Sequence, residues 1–189
     1  MNCYDFDKTI FKGDSSVSFY LFCLLRHKKM LWRLPKQIAA YFRYYVLHRI
    51  SKTQMKEIFY GYFRDIPDID KAVSDFWEKN LSKIKPFYLS QQKEDDIIIS
   101  ASPEFFLRPA CQKLGISHLI ASEVDPGTGV CASENCHGKE KVRRLLSLFP
   151  DAVIADFYSD SLSDTPLAEL AQSAYLVKGE KILPWPQNK

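Results

Sequence analysis

The chain has no long uncharged run. Its longest stretch without Asp, Glu, Lys or Arg is Ser15 to Leu25, well short of the ~18 apolar residues that a spanning helix needs. No transmembrane helix is expected. The first residues pass directly into a polar, acidic motif, without the basic, then apolar, then small-residue order of a secretory signal. A cytoplasmic location is therefore expected. No internal repeat or low-complexity tract is visible, and a composition of 46% hydrophobic and 26% charged residues excludes a disordered or collagen-like chain. Cysteine is scarce and odd in number: Cys3, Cys23, Cys111, Cys131 and Cys136 read as reduced thiols in a chain large enough to bury a core without disulfides. Cys131, Cys136 and His137 lie close together, but no CxxC pair or second ligand pair at finger spacing accompanies them, so loop thiols are expected rather than a zinc site.

The most informative absence is local. From Ser15 to Lys56 there are 42 residues and no acid, while nine Lys and Arg fall in the same span. Subtracting that +9 from the formal net charge of +3 leaves −6 for the remainder. An unremarkable total therefore conceals a basic segment set in an acidic chain.

What is present is mostly alternation. Short apolar runs at Asn2–Phe6, Asp96–Ala101, His118–Ser122, Ala152–Tyr158 and Ala174–Val177 have the length and β-branched content of buried parallel strands. Helical patterns lie between the later runs, at Pro103–Leu114, Lys139–Leu148 and Pro166–Gln172. Strand alternating with helix predicts an α/β core with a parallel, Rossmann-like sheet. At 189 residues the chain suits one core carrying a sizeable insertion. Residues 15–90 break the alternation. A helix starts near Val17 and is expected to end or kink at Pro35; Ile38, Tyr41, Phe42, Tyr45 and Val46, then Met55, Ile58, Phe59, Tyr62 and Phe63, then Ile69, Val73, Phe76 and Trp77 fall at 3-4 spacing. This predicts an inserted helical unit over 15–90 and a core made of 1–14 and 91–189. Asp125-Pro-Gly-Thr-Gly129 has turn chemistry and predicts a small hairpin or loop.

The chemistry gathers at strand ends, where open α/β sheets bind ligands. Asp5-Phe-Asp7-Lys-Thr9 closes the first apolar run, and Asp160-Ser-Leu-Ser-Asp164 closes a later one. If those strands are neighbours, four carboxylates meet, and their repulsion calls for a hard cation such as Mg²⁺. Ser100 ends the Ile97-Ile-Ile-Ser run, where its hydroxyl and the backbone N–H groups that follow, from Ala101 on, are placed to hold phosphate oxygens. Lys141 opens an amphipathic helix from which an ammonium reaches the same sheet edge. Lys139 is its rival.

These residues resemble the haloacid dehalogenase superfamily, in its phosphoserine-phosphatase-like branch, subfamily IB, with a helical C1 cap inserted after the first motif. Asp5-Phe-Asp-Lys-Thr9 is similar to the first motif, Ser100-Ala-Ser102 to the second, Lys141 to the third, and Asp160 with Asp164 to the fourth. The resemblance covers nearly the whole chain. It implies a Mg²⁺-dependent phosphatase in which Asp5 is the nucleophile and forms an aspartyl-phosphate, and Asp7 is the general acid and base. It further implies that Asp5, the Asp7 backbone carbonyl, Asp160 and Asp164 hold the metal, and that Ser100, Ala101 and Lys141 hold the phosphate. Asp14 lies at the spacing where the branch places a Glu that meets the substrate amine; as a helix cap it would do without a substrate role. Lys8 stands where the family often has Gly, and Ser163 replaces a common amide. The basic, aromatic insertion is also similar to that of bacterial phosphatidylglycerophosphate phosphatases. The expected substrate is a phosphorylated small molecule, with a lipid phosphate at an anionic membrane surface as the alternative, an inactive binding protein as the remote one, and no nucleic acid.

Overall fold

The computed structural model describes residues 1–186. The elements in chain order are β1 (Cys3–Tyr4), α1 (Ser15–Arg26), α2 (Leu34–Tyr45), α3 (Lys52–Tyr60), α4 (Ile69–Asn80), α5 (Pro86–Gln91), β2 (Ile97–Pro103), α6 (Glu104–Lys113), β3 (His118–Ser122), α7 (Lys139–Leu148), β4 (Ile154–Ser159), α8 (Thr165–Ala168), β5 (Ala171–Lys178) and β6 (Lys181–Pro184). The strands form one sheet in the order β3-β2-β1-β4-β5-β6. The first five are parallel and β6 is antiparallel to β5.

The apolar runs are buried because helices cover both faces, and their side chains divide with a period of two. Cys3, Ile97, Ile99, Ile120 and Phe157 share one core with Leu145 of α7 and Leu167 of α8. Tyr4, Ile98, Tyr158 and Val177 face the other way, into a larger core with Leu107 of α6 and the helices of residues 15–91. That second core is aromatic. Trp77 of α4 meets Phe6, Phe11, Phe76 and Phe106 edge-on or tilted at centroid distances of 5.8, 5.6, 5.0 and 5.0 Å, and its indole N–H donates to the Phe106 carbonyl at 2.6 Å. The helices between β1 and β2 are thus joined to the sheet by continuous packing. Tyr88 of α5 stacks edge-on against Tyr4 of β1 at 4.9 Å.

Four local expectations need correction. Pro35 does not end a helix: α1 stops at Arg26, a 3-10 turn spans Lys28–Arg33, and Pro35 lies in the first turn of α2, where its missing N–H has no partner to lose. The helix expected over Pro166–Gln172 covers only Thr165–Ala168, since Ala171 already pairs with Ile154 in the ladder. The strand β6 was not anticipated; it returns along β5 after a turn at Gly179, whose φ is +62°. The run Asn2–Phe6 forms only a two-residue ladder, because past Tyr4 the chain turns, with Lys8 at a φ of +59°. That conformation explains why glycine suits the position: a side chain there works against its own carbonyl.

The Asp125–Gly129 turn closes through the Gly129 N–H to the Asp125 carbonyl at 2.8 Å. Gly129 has a φ of +75°, and a Cβ there would lie 2.4 Å from the Tyr60 carbonyl oxygen. This close approach seats the loop after β3 against the end of α3. Two further bonds pin the helix: Cys131 N–H to Glu57 at 3.0 Å, and Asn135 N–H to Thr53 at 3.2 Å.

Candidate active site

The C-terminal ends of β1, β2 and β4 lie side by side and open into a cavity of about 540 Å³, lined by Asp5, Asp7, Asp14, Ser100, Ala101, Ser102, Lys141, Asp160 and Asp164 among others. The eight site residues expected from the sequence, that is all of these but Ser102, are on its wall. Lys141, in the first turn of α7, is 1% exposed. Its ammonium donates to Asp5 Oδ1 at 2.6 Å and to Asp164 Oδ2 at 2.8 Å. Lys139, the rival, lines a separate surface depression with Glu140 and Arg143.

Asp5, Asp7, Asp14 and Asp164 accept hydrogen bonds from the frame around them. Asp5 also accepts from the Thr9 hydroxyl at 3.3 Å, and the same hydroxyl oxygen accepts the Asp160 N–H at 2.9 Å, tying the loop after β1 to the end of β4. Asp164 accepts from the Ser159 hydroxyl at 2.8 Å. Asp7 accepts the Ser15 N–H at the start of α1 at 2.6 Å and the Ser102 hydroxyl at 2.6 Å. Since a serine hydroxyl has one proton, Ser102 spends it on Asp7, and the Ser16 hydroxyl 2.8 Å away donates to Ser102. Ser100 accepts the Ser102 N–H at 3.1 Å, which leaves its own proton for another partner. Asp14 caps α1 through the Val17 N–H at 2.9 Å while still reaching the cavity wall.

Burial governs the protonation of the site. It pushes the Asp5 carboxyl up, against the pull of Lys141. It also raises Asp7, with Asp14 adding to the effect, and Asp160. Burial pulls the Lys141 ammonium down, but Asp5 and Asp164 together carry it above the ordinary lysine value. His137 on the cavity wall is driven down by burial to about 4, so it is neutral near pH 7.

The expectation of four carboxylates converging on one cation is met only in part. All four face the cavity, yet among the described residues no three His, Cys, Asp or Glu side chains gather closely enough to hold a metal. Repulsion among the carboxylates is relieved instead by the Lys141 ammonium, and Asp7 turns toward α1. The donor set still fits Mg²⁺, which takes few protein ligands, all oxygen, and keeps several waters. Asp164 Oδ1 is buried with no hydrogen-bond partner, an acceptor whose burial is costly unless a donor or cation meets it.

Several groups in the cavity were not assigned a role from the sequence. Ser102 and Ser16 on the wall, and Thr9 buried behind it, complete the hydrogen-bond frame. Lys52 and Lys56 approach from α3, and the Lys56 ammonium donates to the Ala101 carbonyl at 2.6 Å. Burial lowers both lysines, Lys56 to about 8. A sequence signal for them exists. Ser51 and Gln54 form a capping box that starts α3 at Lys52, and four-residue spacing then puts Lys56 on the same helix face.

Among solved structures, the chain is similar to a protein of unknown function from Bordetella pertussis Tohama I (TM-score 0.70, 19% identity, 92% of this chain and 87% of that chain). It is also similar to a phosphoserine phosphohydrolase-like protein from Francisella tularensis subsp. tularensis SCHU S4 (TM-score 0.56, 15% identity, 92% and 86%) and to a phospho-aspartyl intermediate analogue of phosphoserine phosphatase (TM-score 0.54, 16% identity, 91% and 83%). A search of curated proteins found no match. The model of the haloacid dehalogenase-like hydrolases matches residues 3–169, a span that runs from β1 through α8 and holds every carboxylate of the cavity. The chain is therefore a hydrolase of the haloacid dehalogenase-like family.

Proposed function

We propose that this hydrolase is a Mg²⁺-dependent phosphatase that cleaves a phosphate monoester in two steps through an aspartyl-phosphate on Asp5. One observation carries the reading: a buried Asp5 carboxylate, oriented by Lys141 and Thr9, faces the same cavity as an Asp7 carboxyl fixed by Ser102 and Ser15. In the first step an Asp5 oxygen attacks phosphorus, the bond to the leaving oxygen breaks, and protonated Asp7 gives that oxygen its proton. The upward shift of Asp7 favours the acid form needed here. In the second step the Asp7 carboxylate takes a proton from water as the water attacks the aspartyl-phosphate, which releases phosphate and restores Asp5.

Lys141, the Ser100 hydroxyl and the main chain at Ala101 hold the nonbridging oxygens. Asp5, Asp160 and the Asp7 main-chain carbonyl would hold Mg²⁺, with Asp164 direct or through water; when bound it neutralises phosphate charge, which supplies much of the acceleration in phosphoryl transfer. Residues 15–90 act as a cap over this site, with Lys52 and Lys56 reaching in from its α3. Asp14 contributes its second oxygen on the leaving-group side. The primary substrate class is a phosphorylated small molecule. A second reading, a lipid phosphate, draws support from the apolar wall formed by Val17, Tyr41, Tyr45, Met55 and Phe59.

Hydrolysis of p-nitrophenyl phosphate tests the reaction. Activity is expected with Mg²⁺ and is abolished by EDTA and by Asp5→Asn; a metal-independent rate that survives Asp5→Asn refutes the mechanism. A panel of phosphorylated metabolites, with phosphatidylglycerophosphate included, separates the two substrate readings.

A further inference from the structure

We infer that the outer face of α1, the 3-10 turn after it and α2 docks onto an anionic phospholipid surface. Apolar residues crowd there. Among the described residues, eleven of the twenty exposed large hydrophobic side chains fall between Val17 and Leu47, whereas a typical protein surface carries them singly. Of the twelve residues of α2 only Ala40 is buried. Ile38, Tyr41, Phe42 and Tyr45 are all exposed, and their i, i+3, i+4, i+7 spacing makes one stripe along the helix. Trp32 is 89% exposed and Leu25 81%. An exposed tryptophan of that degree has no packing role in the fold itself.

The charge of the face selects its occupant. Lys28 and Lys29 line one shallow depression with Leu31 and Trp32, and no acid occurs anywhere from Ser15 to Lys56. Arg33 is paired with Asp65, but Lys28, Lys29 and Lys36 are exposed and make no ion pair among the described residues; aromatic and aliphatic side chains interleaved with such cations match the boundary between acyl chains and anionic headgroups. No described helix is long and apolar enough to cross a membrane, so the contact is interfacial. Tyr41 and Tyr45 belong both to the exposed stripe and to the wall of the active-site cavity. Docking therefore brings the cavity mouth to headgroup level; this last step alone rests on the phosphatase reading, and it would present a membrane-borne phosphate monoester to Asp5.

The test is co-sedimentation of the full chain with vesicles of phosphatidylcholine alone and of phosphatidylcholine mixed with phosphatidylglycerol. The wild type should partition onto the anionic vesicles at least ~10-fold more strongly at low salt, and high salt should weaken the binding. The combined variant Trp32→Glu, Ile38→Glu, Phe42→Glu touches only exposed side chains outside the cavity. It should lose vesicle binding by at least ~10-fold and retain hydrolysis of p-nitrophenyl phosphate in solution. Leu148→Glu with Val153→Glu, equally exposed elsewhere, should bind as the wild type does. No binding to anionic vesicles at low salt, or equal binding by the triple variant, overturns the inference. A lipid-free dimer that Trp32→Glu dissolves, without vesicle binding by the wild type, assigns the face to a second copy and also overturns it. Vesicle binding by a wild type that fails to hydrolyse p-nitrophenyl phosphate retains the docking surface and removes only the catalytic reading.

Discussion

The floor of the cavity and the outer face of the helical segment use charge in opposite ways. On the floor, Asp5, Lys141 and Asp164 are 7%, 1% and 2% exposed and bonded to one another, so each ion depends on the others for its solvation. On the outer face, Lys28, Lys29 and Lys36 are exposed, beside apolar side chains that nothing among the described residues covers. The first arrangement pairs its charges within the chain. The second is complete only with a partner. Charge is therefore a guide to chemistry where it is buried and paired, and a guide to recognition where it is exposed and unbalanced.

The contrast predicts that substitutions on the floor cost stability and rate together. The largest effect is expected from Lys141→Met, which leaves Asp5 and Asp164 buried without their cation. Breaking such a pair from one side costs ~3–5 kcal/mol, to be read from urea unfolding. Added Mg²⁺ should recover part of the loss, because it neutralises the same carboxylates. An unfolding midpoint unchanged by the substitution would mean that the buried triad is not a unit.

Ser102→Ala should act on rate with little effect on the fold, because it removes one donor to Asp7 and leaves the Ser15 N–H in place. A hydrogen bond to a charged group is worth ~1.5–3 kcal/mol, so kcat should fall by roughly 10- to 100-fold, with KM little changed. A rise in KM with kcat unchanged would break the assignment of Ser102 to the positioning of Asp7.

Lys56 sits between the two regions and should give the smallest effect. Burial, then Lys52, lowers its ammonium to about 8. It is mostly charged below that pH and mostly neutral above it, so KM for a phosphate ester should rise as pH passes through about 8. Lys56→Arg, which stays protonated, should flatten that rise, with a change of less than ~10-fold in KM. Stability carries the opposite sign. Because the folded value lies below the ordinary 10.5, the unfolded chain binds a proton that the folded chain does not, and unfolding free energy rises with pH between about 8 and 10.5. Lys56→Met should abolish that contribution.

Much of the floor was legible in the sequence, and for a physical reason. Parallel strands buried on both faces read as continuous apolar runs, and their ends point to Asp5, Asp7, Ser100 and Asp160 without further information. The helix that carries Lys141 in its first turn is legible too, although the choice over Lys139 rests on the bonds to Asp5 and Asp164. What the sequence concealed depends on distant contacts. The capping box at Ser51 puts Lys52 and Lys56 on one helix face, but that face meets the cavity because Glu57 and Thr53 accept bonds from the loop after β3, and because Gly129 lets that loop approach Tyr60; no local pattern encodes that docking. The strand β6 is short and exposed, with little apolar signal to mark it. Pro35 has the same sequence signature whether it ends one helix or begins the next, and the 3-10 turn before it decides the case. The outward turn of the α2 stripe was equally hidden, since the same 3-4 spacing serves a core helix and an interfacial one.

The central claim is that Asp5 carries the phosphoryl group. Acid quenching of the enzyme during turnover of a phosphate monoester with Mg²⁺, followed by peptide mass mapping, tests it most directly. A phosphoryl group, labile to hydroxylamine, is expected on the peptide that contains Asp5, and none in Asp5→Asn. Turnover by the wild type with no phosphorylated peptide, or with the group on another residue, would contradict it.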